Sequence, residues 1–172
     1  AFSLPLMLEA SRYLPLVPAV AWPKAWEALP PLPYWQKTFI DENTLKLERE
    51  GHVAWVLRQA FSAILHRAKL ALATAGTATE QAAGLGIPIV AFPTPGPQYT
   101  LAFARRQKRL LGEALHLVEA NPYRVAGQGL ILLRAPELYQ RSSEAGKRRI
   151  GPSGGISGAT EHIRKDLEAM HR

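Results

Sequence analysis

The sequence has 172 residues, 47% of them hydrophobic, which suits one domain with a buried core and is too short for two ordinary domains. It contains no cysteine, so disulfides, thiolate metal sites and cysteine nucleophiles are excluded, and we expect a reducing, cytoplasmic setting. No apolar run reaches the roughly 20 residues that cross a bilayer, and no signal-peptide pattern opens the chain, so a soluble protein is expected.

The net charge of +7 makes anionic molecules candidate partners. The positive charge is concentrated in two clusters, at residues 105–109 and 147–149. Neither cluster is accompanied by zinc-finger spacing or an aromatic RNA-binding signature, so we do not expect nucleic acid as a partner. Each cluster is either a solvated basic face or a contact for anionic lipid or phosphate.

The first part of the chain predicts short elements. Leu4 and Leu8 share one side of an amphipathic helix over residues 4–12. Residues 16–22 predict a strand, which Pro18 confines to a sheet edge or a bulge.

A proline-bounded segment comes next. Pro23 suits the first turn of a short helix that runs to Leu29, whereas residues 30–33 cannot continue a helix and predict a stiff loop. The four tryptophans of the chain are spaced too irregularly for a stacking platform, so we expect them to pack in or around the core.

Two strands are predicted on either side of the Glu50-Gly51 turn. Leu45 and Leu47 alternate with charged residues before the turn, and the odd-numbered residues of 53–57 are apolar after it. The two strands form a hairpin, or the second lies parallel in the main sheet, and a helix over residues 62–67 follows.

A strand, a helix and another strand come after that. The apolar runs 70–73 and 89–92 have the length of buried strands. Between them, Thr77 and Glu80 have the spacing of a capping box, which predicts a helix that begins at Thr77 and runs to about Leu85. Gly86 then provides the left-handed stop.

Such a βαβ unit places the free amides of a helix N-terminus at the carboxyl end of a parallel sheet, where an anion or a polar ligand is favoured. Gly76 and Thr77 lie at that position in the sequence. They are therefore candidate ligand-binding residues, or they form only a tight turn and a cap.

The rest of the chain continues the alternation of strands and helices. The proline-rich loop 93–97 follows a strand, where α/β folds place ligands, and Gln98 after it is either a ligand contact or a solvent-exposed residue at a helix entry. Gln107 is expected on the surface of that helix. The further predicted elements are a helix over 100–111, a strand over 114–118, and helices that begin at Asn121-Pro122 and Pro136-Glu137.

Histidine does not point to a catalytic or metal site. The spacing of the histidines offers no paired metal ligands and no serine-histidine-acid arrangement, so each is expected to be structural or exposed. The histidines are His52, His66, His116, His162 and His171.

The sequence of residues 75–93, AGTATEQAAGLGIPIVAFP, resembles the donor-side helix of GT-B glycosyltransferases. Within them the resemblance is to the lipid-A-disaccharide synthase family and its synthase-related branch. Residues 96–107, GPQYTLAFARRQ, and the glycine-rich segment 149–155 are similar to the same family. Segment 149–155, with the amphipathic stretch 156–170 after it, either bends the chain back across the domain or is a mobile turn between two helices.

The resemblance implies a site at which the turn before the helix faces the diphosphate and ribose of a UDP-sugar. Gln81 stands where the family has a carboxylate, and an amide there carries no charge. In more distant relatives a glutamine at the place of Gln98 contacts the donor sugar. The implied donor-binding residues are Gly76, Thr77, Gln81 and Gln98. Secondary candidates are Ala75, Glu80, Arg149 and Gly151.

Alternating strands and helices predict a three-layer α/β domain with a mostly parallel sheet. The resemblance makes this a single Rossmann-like domain over residues 1–172, the donor-binding C-terminal half of a GT-B enzyme, and a fragment without its first strand and N-terminal domain. A fragment of that kind is expected to bind donor weakly and to be inactive alone, because the acceptor base would lie in the missing domain.

The implied reaction is transfer of a hexosamine from a UDP-sugar to a lipid-linked acceptor at the cytoplasmic face of the membrane, with no metal or cofactor. The catalytic residues are unknown. Two alternatives stay open: a non-catalytic nucleotide-sugar-binding module, and a nucleotide-sugar epimerase-like domain. The sequence GTATEQ, residues 76–81, favours the transferase.

Overall fold

The computed structural model describes residues 3–151, which form a mixed α/β fold. The expected turn after Gly151 and the helix over 156–170 lie outside these residues. The helices are α1 (Ser3–Ser11), α2 (Phe61–Arg67), α3 (Gly76–Gly84), α4 (Leu101–Leu111), α5 (Pro122–Arg134) and α6 (Pro136–Ile150). The strands are β1 (Ala19–Ala21), β2 (Gln36–Asp41), β3 (Thr44–Arg49), β4 (His52–Leu57), β5 (Ala71–Ala73), β6 (Ile89–Ala91) and β7 (Leu115–Leu117). Single turns of 3-10 helix occur at Trp26–Ala28 and Gly112–Ala114.

Strands β5, β6 and β7 form a three-stranded parallel sheet in that order, which we call the parallel sheet. Helix α3 connects β5 to β6, and α4 connects β6 to β7. The βαβ unit predicted from the sequence is therefore confirmed, and a second one follows it. Gly86 ends the first helix with a φ of 77°, the left-handed conformation expected of it.

The parallel sheet is the middle of three layers. On one face, Ile89 and Leu115 pack in a cluster with residues of α3, α4 and α6. On the other face, Val90 and Phe92 pack with α1 and α5. All four side chains are fully buried, and each such side chain contributes about 1.5–3 kcal/mol of burial.

The remaining strands form a second sheet in the order β1-β4-β3-β2, which we call the mixed sheet. Only β1 and β4 are parallel, and the other pairs are antiparallel. The expectation of a mostly parallel sheet thus holds for the parallel sheet and not for this one. The physical reason is the turn at Glu50 and Gly51, whose φ values of 49° and 78° fit the two-residue hairpin turn that joins antiparallel strands.

The hairpin, one of the two arrangements expected for these strands, is present, because β3 and β4 pair antiparallel. The fully buried residues of β4 are Ala54 and Val56, not the odd-numbered residues of 53–57. Residues opposite each other in an antiparallel pair share a face, and Val56 lies opposite Leu45. The register with β3 therefore decides the face, and a small alanine is placed in the core.

Helix α1 lies between the two sheets, as its two faces show. Leu4 and Leu8 are buried in the core of the mixed sheet, whereas Ala10 is buried against the parallel sheet. Glu9 on this helix accepts hydrogen bonds from Arg12 and Arg49, each at 2.8 Å. The amphipathic helix predicted over residues 4–12 is confirmed, and it packs on both sheets.

Helices α3 and α6 approach so closely that only glycine fits at position 146. A Cβ on Gly146 would lie 2.3 Å from the backbone oxygen of Ala83. We expect Gly146→Ala to lower the free energy of unfolding by at least about 2 kcal/mol, because two backbones must separate. Urea denaturation measures this.

The matched control is Gly127→Ala in α5, where an added Cβ meets nothing within 4 Å. This change is expected to stabilise the protein by about 0.5–1 kcal/mol through helix propensity. Equal stability of the two variants would contradict the close approach of α3 and α6.

Candidate functional site

The candidate site lies at the edge of the parallel sheet where its strands end, which we call the carboxyl edge. Strands β5, β6 and β7 end at Ala73, Ala91 and Leu117. Because the three strands are parallel, the segments that follow them meet at this one edge. The start of α3 and the loop 92–98 are therefore neighbours.

The N-terminus of α3 is open at the carboxyl edge. The helix begins at Gly76, and within residues 3–151 no side chain caps it at Ala75, whose backbone is extended. A helix start leaves its first amides without partners inside the helix and carries about half a positive charge. This end of α3 is consequently suited to an anion.

The capping box predicted from Thr77 and Glu80 is wrong. The hydroxyl of Thr79, not that of Thr77, bonds the backbone near the helix start, by donating to the Ala75 carbonyl. The carboxylate of Glu80 accepts a hydrogen bond of 3.0 Å from Gln107 Nε2 on α4 instead of turning back to the helix start. The hydroxyl of Thr77 is exposed and has no capping role.

The start of α3 packs against α4. A Cβ on Gly76 would touch the ring of Phe103 at 3.4 Å, so a small residue is favoured where the two helices meet. The hydroxyl of Thr100 caps α4 by accepting from the Phe103 amide at 3.2 Å. The start of α4 is thereby fixed beside the start of α3.

Gln98 is exposed in the loop after β6. The loop is held at both ends, because the Thr94 amide donates to the Tyr99 carbonyl at 2.8 Å and Tyr99 itself is buried. Burial raises the pKa of the Tyr99 hydroxyl to about 12. The Gln98 amide group is therefore presented to solvent from a fixed loop at the carboxyl edge.

Gln81 shares the exposed face of α3 with Thr77, one turn further along the helix. The opposite face is buried through Thr79, Ala82 and Ala83. Gln81 is five residues beyond Gly76, so it lies about 7.5 Å along the helix axis from the open N-terminus. Ala75 is exposed next to the helix start.

The structure places two secondary candidates elsewhere. Arg149 Nη1 donates to the carbonyls of Arg109 and Leu110, at 3.3 and 3.4 Å, near the C-terminal end of α4. Gly151 ends α6 close by, with a φ of 82°. Helix α4 leads away from the carboxyl edge, so Arg149 and Gly151 lie near the far, C-terminal end of that helix. They are not brought together with Gly76, Thr77 and Gln98.

Gln107 was expected on the surface of its helix and is instead 5% exposed. Besides its bond to Glu80, its Oε1 is buried with no hydrogen-bond partner among the described residues. Ala104 and Leu111 on the same helix are buried as well, so the spacing of three and four residues was the signal that the sequence offered. Gln107 fixes the Glu80 carboxylate beneath the start of α3.

The third strand adds residues that the sequence reasoning did not assign to the site. Glu119 is exposed just beyond the end of β7, and Asn121 follows it. The Asn121 side chain caps α5 by accepting from the amides of Tyr123 and Arg124, as predicted. Its position directly after a strand is the sequence feature by which Glu119 could have been assigned to the site.

No family model, curated protein or solved structure matches the chain. Among residues 3–151, no three histidine, aspartate or glutamate side chains are grouped so that they could hold a metal ion. In the same range, no helix has both the length and the apolar character required to cross a membrane.

His116 belongs to a half-buried polar cluster away from the carboxyl edge loops. Its Nε2 lies 2.8 Å from Ser142 Oγ, and its Nδ1 lies 3.3 Å from Gln128 Nε2. Ser142 is completely buried, so a substrate cannot reach its hydroxyl. The cluster therefore connects β7, α5 and α6 and is not a nucleophilic site.

Stability is expected to fall in acid because of His116. Burial lowers the pKa of His116, and the charge of Lys108 lowers it further, while Glu113 acts weakly in the opposite sense. Above about pH 6.5 the histidine is neutral in both states, whereas below it the unfolded chain takes up a proton that the folded chain resists. The free energy of unfolding should thus decline as the pH falls below 6.5.

The variant His116→Gln should show a smaller decline than the wild type in denaturation experiments across this pH range. His66→Gln, a change of an exposed histidine on α2, is the control and should keep the wild-type decline. Identical pH profiles for wild type and His116→Gln would contradict the assignment.

Proposed function

We propose that the chain binds the diphosphate and nucleoside of a UDP-sugar at the carboxyl edge, as the donor-binding half of a glycosyltransferase of the GT-B type. The observation that carries the proposal is the open N-terminus of α3 at that edge, without a side-chain cap in the described part of the chain. The similarity of residues 75–93 to the lipid-A-disaccharide synthase family agrees with it.

The helix start provides the chemistry that a diphosphate needs. Its free amides donate hydrogen bonds, and the positive end of the helix dipole favours negative charge. In a sugar transfer the nucleoside diphosphate leaves with growing negative charge, so the same amides stabilise the leaving group as the bond breaks. No metal is required for this electrostatic contribution.

Neutral polar side chains surround the helix start. The hydroxyl of Thr77 is free to bond a phosphate oxygen because it does not cap the helix. The exposed amide of Gln98 both donates and accepts, which suits a sugar hydroxyl. Gln81 lies one turn lower on the exposed face of α3 and would meet the ribose.

A non-catalytic nucleotide-sugar-binding module is the second candidate. It is favoured by Gln81, which has an uncharged amide where the resembling family has a carboxylate. The nearby carboxylate of Glu80 is held by Gln107 and is not free to replace it. Such a module binds the nucleotide-sugar donor and does not transfer its sugar.

The Thr77→Ala variant tests the donor site. Because Thr77 is exposed and does not cap α3, its loss should change the free energy of unfolding by less than about 0.5 kcal/mol. Affinity for UDP should fall about tenfold, the effect of one lost hydrogen bond to a charged group. Isothermal titration calorimetry measures the affinity.

The control is Ser62→Ala, which removes an exposed hydroxyl from the same position, the second residue, of helix α2. It should leave both stability and UDP affinity at the wild-type values. Equal UDP affinities for Thr77→Ala and Ser62→Ala would contradict the proposed contact.

The acceptor implied by the proposal is lipid-linked, so the domain would work beside the cytoplasmic face of a membrane. Helix α4 presents Arg105, Arg106 and Arg109 on its exposed face, with Leu101 and Leu110 at the margins of that face. Basic residues near an anionic bilayer contribute about 1 kcal/mol each. This face of α4 is therefore the proposed membrane contact.

Vesicle sedimentation tests the contact. The double variant Arg105→Glu/Arg109→Glu should bind vesicles of anionic phospholipid at least tenfold more weakly than the wild type, because two attractive charges become repulsive. Arg124→Glu/Arg134→Glu changes the net charge equally on α5 and should bind as the wild type does. Equal losses for the two double variants would show that only net charge matters and would contradict the assignment of α4.

A further inference from the structure

Among residues 3–151, strand β2 is an open edge of the mixed sheet. It pairs with β3 on one side, and all six of its residues are exposed. Phe39 and Ile40 are 57% and 55% exposed, which is unusual for large apolar side chains on a strand. Unpaired strand edges with exposed apolar residues are templates for pairing with another strand.

The outward backbone groups of this edge follow from the register. Hydrogen-bonded and non-bonded pairs alternate along an antiparallel ladder, and the pair Arg49 and His52 closes a two-residue turn and is bonded. Counting from that pair, the backbone groups of Thr38 point to β3, whereas those of Lys37 and Phe39 point away from the sheet.

A hydrogen bond on the far side of β4 supports this count. The Trp55 amide donates to the Pro18 carbonyl at 2.9 Å, so Trp55 turns its backbone away from β3. The residue opposite Trp55 on β3 is Lys46. The backbone N–H and C=O of Lys46 therefore point toward β2, where the opposite residue is Thr38. The two ladders agree on which groups of β2 are free.

We propose that β2 pairs antiparallel with β2 of a second copy of this chain, about a two-fold axis at Thr38. In this register Lys37 lies opposite Phe39 of the other copy, so the outward amides and carbonyls of both residues are satisfied. The Thr38 residues of the two copies face each other as a non-hydrogen-bonded pair. A symmetric dimer of this kind closes on itself and does not extend into a fibre.

Side-chain chemistry favours the antiparallel arrangement with a like strand. The strand carries the cation of Lys37 near its start and the carboxylate of Asp41 at its end. Antiparallel pairing about Thr38 places Phe39 of the other copy, not the second Lys37, opposite each Lys37, whereas in-register parallel pairing would place like charges side by side. The ammonium of Lys37 is attracted to that aromatic ring.

The apolar face of the sheet would continue across the axis. Phe39 already packs edge-on against Trp26, with ring centroids 5.4 Å apart, and Trp26 packs on the core of the mixed sheet. The irregularity between Phe39 and Asp41 limits regular pairing to residues 37–39. The contact is thus smaller than the roughly 800 Å² per partner of a stable dimer, so we expect dissociation on dilution.

Cysteine cross-linking tests the pairing, because the natural chain has no cysteine. In the full chain, Thr38→Cys should form a disulfide-linked dimer under mild oxidation, since opposite residues of a non-bonded pair have Cα atoms about 4.5 Å apart. Gln36→Cys is the control. In this register the two Gln36 residues are offset by four positions along the paired strands, about 13 Å. It should cross-link at least tenfold more slowly.

Sedimentation of the wild type between about 1 µM and 1 mM should show a monomer–dimer equilibrium. Equal cross-linking rates for Thr38→Cys and Gln36→Cys would overturn the proposal, since collisions would then explain both. A wild type that is monomeric throughout this range would overturn it too, and would show that Lys37 and the irregularity near Asp41 only keep the edge unpaired.

Discussion

The burial of β6 on both faces is the constraint on which the rest of the structure depends. Ile89 and Ala91 are fully buried on one side of the strand, and Val90 and Phe92 on the other. Such a strand needs a helical layer on each face, and parallel neighbours need crossover helices to reach it. Helices α3 and α4 therefore both return from the carboxyl edge, and their N-termini lie there side by side. The candidate site is a consequence of burying one strand.

The parts of the fold that could be predicted are those with a local chemical signal. Gly86 adopts its left-handed conformation, and Thr100 and Asn121 start their helices, because each depends on atoms within a few residues. The predictions that failed depended on distant partners. Glu80 bonds Gln107, 27 positions away, rather than the start of its own helix. Sequence spacing does not contain this contact.

Thr77 and Glu80 do not form the predicted capping box, and this bears on the candidate site. Had Thr77 capped α3, its hydroxyl would be used within the fold, and the amides at the helix start would be partly satisfied. In the structure Thr77 does not cap α3, and Thr79 bonds the Ala75 carbonyl, so no side-chain cap at Ala75 occupies the first amides within residues 3–151. Gly76 and Thr100 position the two helix starts through packing and capping, whereas Gln98 is exposed on a fixed loop. In the proposed site, positioning and binding are thus assigned to different residues.

Amide chemical-shift mapping of the labelled chain during titration with UDP tests the central claim most directly, because it locates a weakly bound ligand residue by residue. The largest shifts are expected at the amides of Gly76, Thr77 and Ala78, with smaller shifts at Gln98. Shifts confined to the basic cluster 147–149, or no shifts at millimolar UDP, would contradict a nucleotide site at the carboxyl edge.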